Sequence, residues 1–290
     1  MVGPGPSWDL LADLQQLFAF SFMQHALLTG TIVAILGGAV GYLIVLRGQS
    51  FAAHTLSQVG FPGAAGGVLL HISPLLGLLV FCTGSALGIA SLGRGLDGGR
   101  RSESAVVGTI LAFSLGLGLL FLTLYEGASA QDVYAFLFGS ILGISDQEVL
   151  ITAAASGLAL AALAVIGRPL LFASIDPDVA QARGVPVRLL SILFLVLVAL
   201  AVAQTVQIVG TLLIFALLVA PGAAAQQLTT RPWAGLWLSV SLSLLFTWAG
   251  LSIAFFTIYP VGFFVTTIAF GTYLALRLGR AAVHIRAPAA

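Results

Sequence analysis

Leu46-Arg47-Gly48-Gln49-Ser50-Phe51-Ala52-Ala53-His54-Thr55-Leu56-Ser57-Gln58-Val59-Gly60-Phe61-Pro62-Gly63 starts with a cation, turns apolar, and carries His54 and Gln58 four residues apart. On a helix that spacing puts both side chains on one face. The stretch then meets Phe61-Pro62-Gly63, which reads as a helix break. An unpaired polar group in hydrocarbon costs on the order of 2 to 7 kcal/mol. His54 and Gln58 are therefore expected to face a cavity or a neighbouring helix rather than lipid.

The surroundings justify treating hydrocarbon as the solvent. Of 290 residues, 59% are hydrophobic and 7% are charged, with a mean hydropathy of +1.11. A soluble domain would carry roughly a quarter charged residues, so the chain is an integral membrane protein. The net charge of +1 says little about partners and gives no sign of a nucleic-acid surface. All eleven basic residues are Arg, and without Lys the chain can hold neither a GxxxxGK[ST] phosphate loop nor a Schiff-base lysine. If ATP drives this protein, another chain binds it. Cys82 is the only cysteine, which excludes an intrachain disulfide and a cysteine zinc site and reads as a buried thiol.

Residues 1–21 form an N-terminal segment without a basic signal-peptide start. Within it Leu10, Leu11, Leu14, Leu17 and Phe18 recur at helical spacing opposite Asp9, Asp13 and Gln16, so an amphipathic helix is expected to lie in the interface. The expected fold is all-α and polytopic, with about nine spans at 22–46, 51–70, 74–92, 104–125, 149–166, 188–203, 206–228, 233–258 and 261–278. The sixth and seventh are divided only by the polar segment 204–207, and a count of eight stays open. The transmembrane unit is 22–280, and 281–290 is a tail.

Alternating nine spans across the bilayer puts every arginine on one side. The positive-inside rule makes that side the cytoplasm, with the N-terminus outside and the C-terminus inside. Asp9, Asp13, Glu126, Asp132, Asp146 and Glu148 collect on the other side, as a solvated rim or as a surface that attracts a cation or a partner.

Residues 132–143 hold an apolar core of about ten residues, too short to cross, and read as a re-entrant half-helix buried in protein or along a cavity. With Pro62, Pro221 and thirty-four glycines, they predict broken, closely packed helices. The connection 167–187 contains a short helix with its own signals: Asp176 as N-cap, Pro177 at the first position, Asp178 in the first turn, Gly184 as the stop. A capped stub this short suggests docking to a soluble partner.

Several segments, in order, resemble the membrane subunit of ABC importers for divalent metals, the zinc and manganese permease family. They are Phe22-Met23-Gln24-His25-Ala26-Leu27-Leu28, Val45-Leu46-Arg47 with Ser50-Phe51, Phe61-Pro62-Gly63, Leu137-Phe138-Gly139-Ser140-Ile141-Leu142, Asp176-Pro177 through Ala180 to Gly184-Val185-Pro186, and Val209-Gly210-Thr211-Leu212-Leu213 running to Ala220-Pro221. The resemblance implies a homodimeric bacterial inner-membrane permease of type II importer architecture. Its partners would be cytoplasmic ATPases that bind ATP and an extracytoplasmic solute-binding protein. There would be no chemistry of its own and no permanent cofactor. It also implies that Asp176, Pro177, Ala180, Arg183 and Gly184 belong to a coupling helix seated on the ATPase, and that His54, Ser57, Gln58, Gly139 and Ser140 line the substrate path.

One departure matters. The family pattern resembles Gly-Asp-x-Leu-Ser-His, whose Asp and His can hold the metal in transit, and the matching residues here are His54 and Gln58. Imidazole suits zinc and other first-row ions, whereas a Gln carbonyl is a weak, uncharged ligand. The expectation is a transient site on His54 with zinc slightly favoured over manganese, and a metal chelate as the alternative cargo. A secondary carrier would need an ionisable group at depth, and every Asp and Glu lies near a span end or loop. A Ser57–His54 or Ser57–His71 hydrolase has no G-x-S-x-G elbow behind it. His71 reads as interfacial, His25 as packing near a helix start and His284 as a tail residue. No HExxH is present.

Overall fold

The computed structural model describes residues 10–92, 100–124, 145–210, 214–257 and 259–286. Every described element is an α-helix. In chain order these are α1 (Leu10–Ala19), α2 (Ser21–Leu46), α3 (Ser50–Leu69), α4 (Pro74–Leu92), α5 (Arg100–Leu124), α6 (Asp146–Ile175), α7 (Pro177–Ala182), α8 (Val187–Val209), α9 (Ile214–Leu228), α10 (Pro232–Phe255) and α11 (Val261–Arg286).

Among the described residues seven helices are long and apolar enough to cross a membrane: α2, α4, α5, α6, α8, α10 and α11. The two others expected to span fall outside this set for different reasons. α9 has 15 residues, against about 20 for a full crossing. α3 has 20, but its glycines and His54, Ser57 and Gln58 dilute its apolar character.

α2 is buried along most of its length, against α6, α8, α9 and α10. Small residues let its neighbours close in. A Cβ on Gly41 would overlap the Leu218 carbonyl, one on Gly222 would come within 2.7 Å of the Gly41 carbonyl oxygen, and one on Gly38 within 2.7 Å of Val240 Cα. Contacts between Gly37 or Gly41 and Leu218, then Tyr42 and Gln226, run α9 parallel to α2. Those from Gly30 to Leu251 and from Tyr42 to Gly235 run α10 antiparallel. α3 packs likewise on α4 through Gly63, Gly67 and Gly77, and on α5 where Phe61 and Pro62 meet Gly118.

The backbone corrects three expectations. Pro62, Pro169 and Pro221 all lie inside continuous helices, so Phe61-Pro62-Gly63 breaks nothing. Each proline forfeits one backbone hydrogen bond. At Pro62 the compensation is contact: its Cβ lies against Gly118, and Gly63 admits α4. Next, α6 runs 30 residues, through Arg168 and Pro169 to Ile175, instead of stopping at 166. A Ser145–Glu148 capping box starts it earlier than 149. Finally, residues 204–207 do not divide two spans. Gln204 is buried and accepts a hydrogen bond from Ser156 of α6, and Thr205 donates to the Ala201 carbonyl (2.6 Å), so the polar run stays helical. α8 ends instead at Gly210, whose φ of 78° and ψ of 167° form an extended turn open to glycine.

The helix expected in the N-terminal segment appears as α1, with Leu17 buried against Met23, Ala26 and Leu251. The half-helix expected at 132–143, with Gly139 and Ser140, lies outside the described residues.

Candidate functional site

Within α3 the side chains divide sharply. Ala52, Ala53, Thr55, Leu56, Ser57, Val59, Gly60 and Pro62 through Gly67 are buried, while Phe51 is exposed and His54, Gln58 and Phe61 are half-buried. These four recur at helical spacing and form one stripe. The stripe is polar at its middle, where His54 and Gln58 stand one turn apart. Ser57, on the adjacent buried face, turns its hydroxyl back to donate to the His54 carbonyl at 2.6 Å. The structure therefore brings His54 and Gln58 together on an open face and points Ser57 away from it. Among the described residues the buried Thr55 hydroxyl has no hydrogen-bond partner. Among the described residues no three His, Cys, Asp or Glu side chains gather in a group suited to a metal. A metal drawn to this stripe would meet one imidazole and one amide oxygen per chain, a neutral donor set.

Around the stub, Asp176 accepts from the Val179 backbone N–H at 3.0 Å, Pro177 occupies the first turn, and Gly184 takes a φ of 80°. The Val185 N–H returns to the Ala180 carbonyl at 3.0 Å, closing the C-terminal turn. Ala180 is fully buried (0% exposed), and its neighbours Asp178, Val179, Gln181, Ala182 and Arg183 are exposed. Ala180 is thus an anchor into the bundle, and the remaining residues form the outward surface.

Arg47 connects the two regions. It follows α2 by one residue and precedes α3 by three, and its guanidinium reaches across the bundle. Nη1 donates to Ser174 Oγ of α6 at 3.0 Å and Nη2 to Ser191 Oγ of α8 at 2.8 Å. The group lies over the Phe194 ring, 5.3 Å from its centroid. The sequence shows the cation but not its acceptors, which lie 127 and 144 positions away. The only local signal is that each serine sits just outside the stub.

At the opposite end of the bundle His25 Nε2 and Asp146 Oδ1 are 2.8 Å apart, with Asp146 92% exposed. This joins the start of α2 to the start of α6 and puts the two helix starts on one side, away from the Arg47 cluster. His71 is exposed in the turn after α3, with a φ of 57°.

A family model described as the ABC 3 transport family matches residues 19–278. The manganese import system permease protein ScaB of Streptococcus parasanguinis is 34% identical over 254 residues, 88% of each chain. A probable iron transport system membrane protein of Haemophilus influenzae is 30% identical over 238 residues, 81% of this chain and 83% of its own. Among solved structures, PsaBC from Streptococcus pneumoniae in complex with Fab superposes with a TM-score of 0.81 at 28% identity, covering 92% of this chain and 95% of that one. The metals named here are manganese and iron, so the slight preference for zinc drawn from His54 has no support among them.

Proposed function

This chain belongs to the ABC 3 transport family, and on that premise we propose that it is the permease of an ATP-driven importer carrying manganese into the bacterial cytoplasm. The observation that carries the reading is the open stripe of α3. A helix buried on its other sides leaves half-open the face that holds His54 and Gln58. Facing lipid, that face would be costly. Facing a second copy of the chain across a hydrated path, it is useful.

The working unit is a homodimer of the transmembrane unit 22–280, with cytoplasmic ATPases and an extracytoplasmic binding protein as partners. The arginine-bearing helix ends lie in the cytoplasm, as the positive-inside rule requires. His54 and Gln58 line the path, Ser57 braces the helix behind them, and Gly139 and Ser140 are assigned to the path as well. Two copies present two imidazoles and two amide oxygens. Without a carboxylate the ion's charge is not neutralised, so His54 binds it transiently, which suits a path that must release what it admits. Asp176, Pro177, Arg183 and Gly184 shape the stub that seats on the ATPase, and Ala180 holds it to the bundle.

The test is uptake of radiolabelled manganese into vesicles containing the permease, its ATPase and its binding protein. His54→Ala and Gln58→Ala are each expected to cut ATP-dependent uptake by about tenfold or more without reducing the yield of the complex. Normal uptake in both variants sinks the path role. Uptake that persists without the ATPase replaces the importer with a secondary carrier, and uptake only of a chelated ion changes the cargo.

A further inference from the structure

We infer that Arg47 is a positioning residue that makes the stub and the His54–Gln58 face of α3 move together. The inference rests on the importer reading, to which it adds a route for the coupling. Ser174 lies two residues before the N-cap Asp176, and Ser191 lies four residues into α8, so the serines bracket the stub on both sides. Each hydroxyl proton is engaged within its own helix, Ser174 with the Leu170 carbonyl at 2.5 Å and Ser191 with the Val187 carbonyl at 2.9 Å. Both oxygens are thereby set as acceptors, and the guanidinium fork of Arg47 fills both at once.

The other end of the linkage is equally short. The turn after Arg47 uses Gly48 at a φ of 68°, Gln49 N–H bonds the Ile44 carbonyl at 3.0 Å, and Ala53 N–H bonds the Gln49 carbonyl at 3.1 Å. Only Gly48 and Gln49 intervene between Arg47 and α3, both held by backbone hydrogen bonds to the end of α2, and His54 opens the second turn of α3. Phe194, 0% exposed, supports the guanidinium from beneath. A displacement of α7 carries Ser174 and Ser191 with it, and the fork passes that displacement to α3. Lysine cannot replace this geometry, because one ammonium lacks the planar pair of donors.

The experiment uses the complete complex of permease, ATPase and binding protein in vesicles. Manganese uptake per ATP hydrolysed is measured for wild type, Arg47→Lys and the double variant Ser174→Ala/Ser191→Ala. Alongside, maleimide labelling of Gln58→Cys in a Cys82→Ala background is compared with and without vanadate-trapped nucleotide. Both clamp variants are expected to assemble and hydrolyse ATP, but to lose uptake per ATP by about tenfold, a usual size for coupling between sites. Both should also lose the nucleotide-dependent change in labelling. Retention of wild-type coupling and labelling overturns the inference. So does a parallel fall in yield, hydrolysis and uptake, which marks a purely structural role. If the wild-type complex hydrolyses ATP but moves no manganese while Gln58→Cys with an intact clamp still shifts its labelling, the cargo reading alone is defeated, and the labelling comparison still decides the clamp.

Discussion

At the scale of single residues, two polar side chains share one face of an otherwise apolar helix. His54 and Gln58 keep the one-turn interval that shares a helix face, yet neither brings negative charge. Introducing a carboxylate with His54→Asp is expected to tighten manganese recognition about tenfold, as first-row ions of that hardness prefer oxygen anions. Competition of unlabelled manganese and zinc against labelled uptake measures it, and an unchanged preference argues that α3 does not touch the ion. The pair itself was legible in sequence, because two polar residues in an apolar run point to one face. The role of Ser57 was not. Its hydroxyl bonds back to its own helix at the His54 carbonyl, an orientation that residue type and spacing leave open.

Among the elements, signals that act within a few residues are legible in the sequence, and those that join distant residues are not. The stub was legible down to its cap, because Asp176, Pro177 and Gly184 act on backbone groups within a few residues. Asp176→Ala should remove about 1 kcal/mol of cap stabilisation and loosen the stub, lowering recovery of the ATPase in co-purification while the permease alone still inserts. Undiminished recovery would mean that the stub is held by Ala180 and not by its cap. The polar run 204–207 suggests a boundary in the sequence because the partner of Gln204, Ser156, lies 48 positions earlier. A polar run therefore looked like a loop. Gly210 sat in plain view, but a glycine among thirty-four says nothing until its φ is known. Close packing explains the rest: Gly41→Ala would drive a methyl into the Leu218 carbonyl. The expected cost is roughly 1 to 3 kcal/mol, read as a lower melting temperature of the purified protein in detergent. Full tolerance would show that α2 and α9 can part.

For the whole molecule, the arrangement of charge and the arrangement of helices agree. Antiparallel and parallel contacts assign the Arg47 cluster to one end and the His25–Asp146 pair to the other. Cysteines introduced at Gln181 and at Gln147 should accordingly label from opposite sides of a sealed vesicle, the first only from the cytoplasmic side. Labelling of both from one side would overturn the alternation. Arginine placement alone separates the same two ends, since a charge at a helix end is a local cost that needs no knowledge of packing, and the labelling decides which end faces the cytoplasm. The sequence could not predict which helices interlock, because that depends on which glycine meets which backbone.

The interlocks at Gly41–Leu218–Gly222 and at Gly63–Gly77 leave no room for sliding within either group. Yet α2 and α3, one in each, make little direct contact beyond their shared turn. Backbone crowding of this kind acts as a weld, so any shear during transport belongs on the seam between α2/α9/α10 and α3/α4. Amide hydrogen exchange during turnover should find both welded blocks quiet. Mobility should concentrate along that seam, with the Arg47 turn as its pivot.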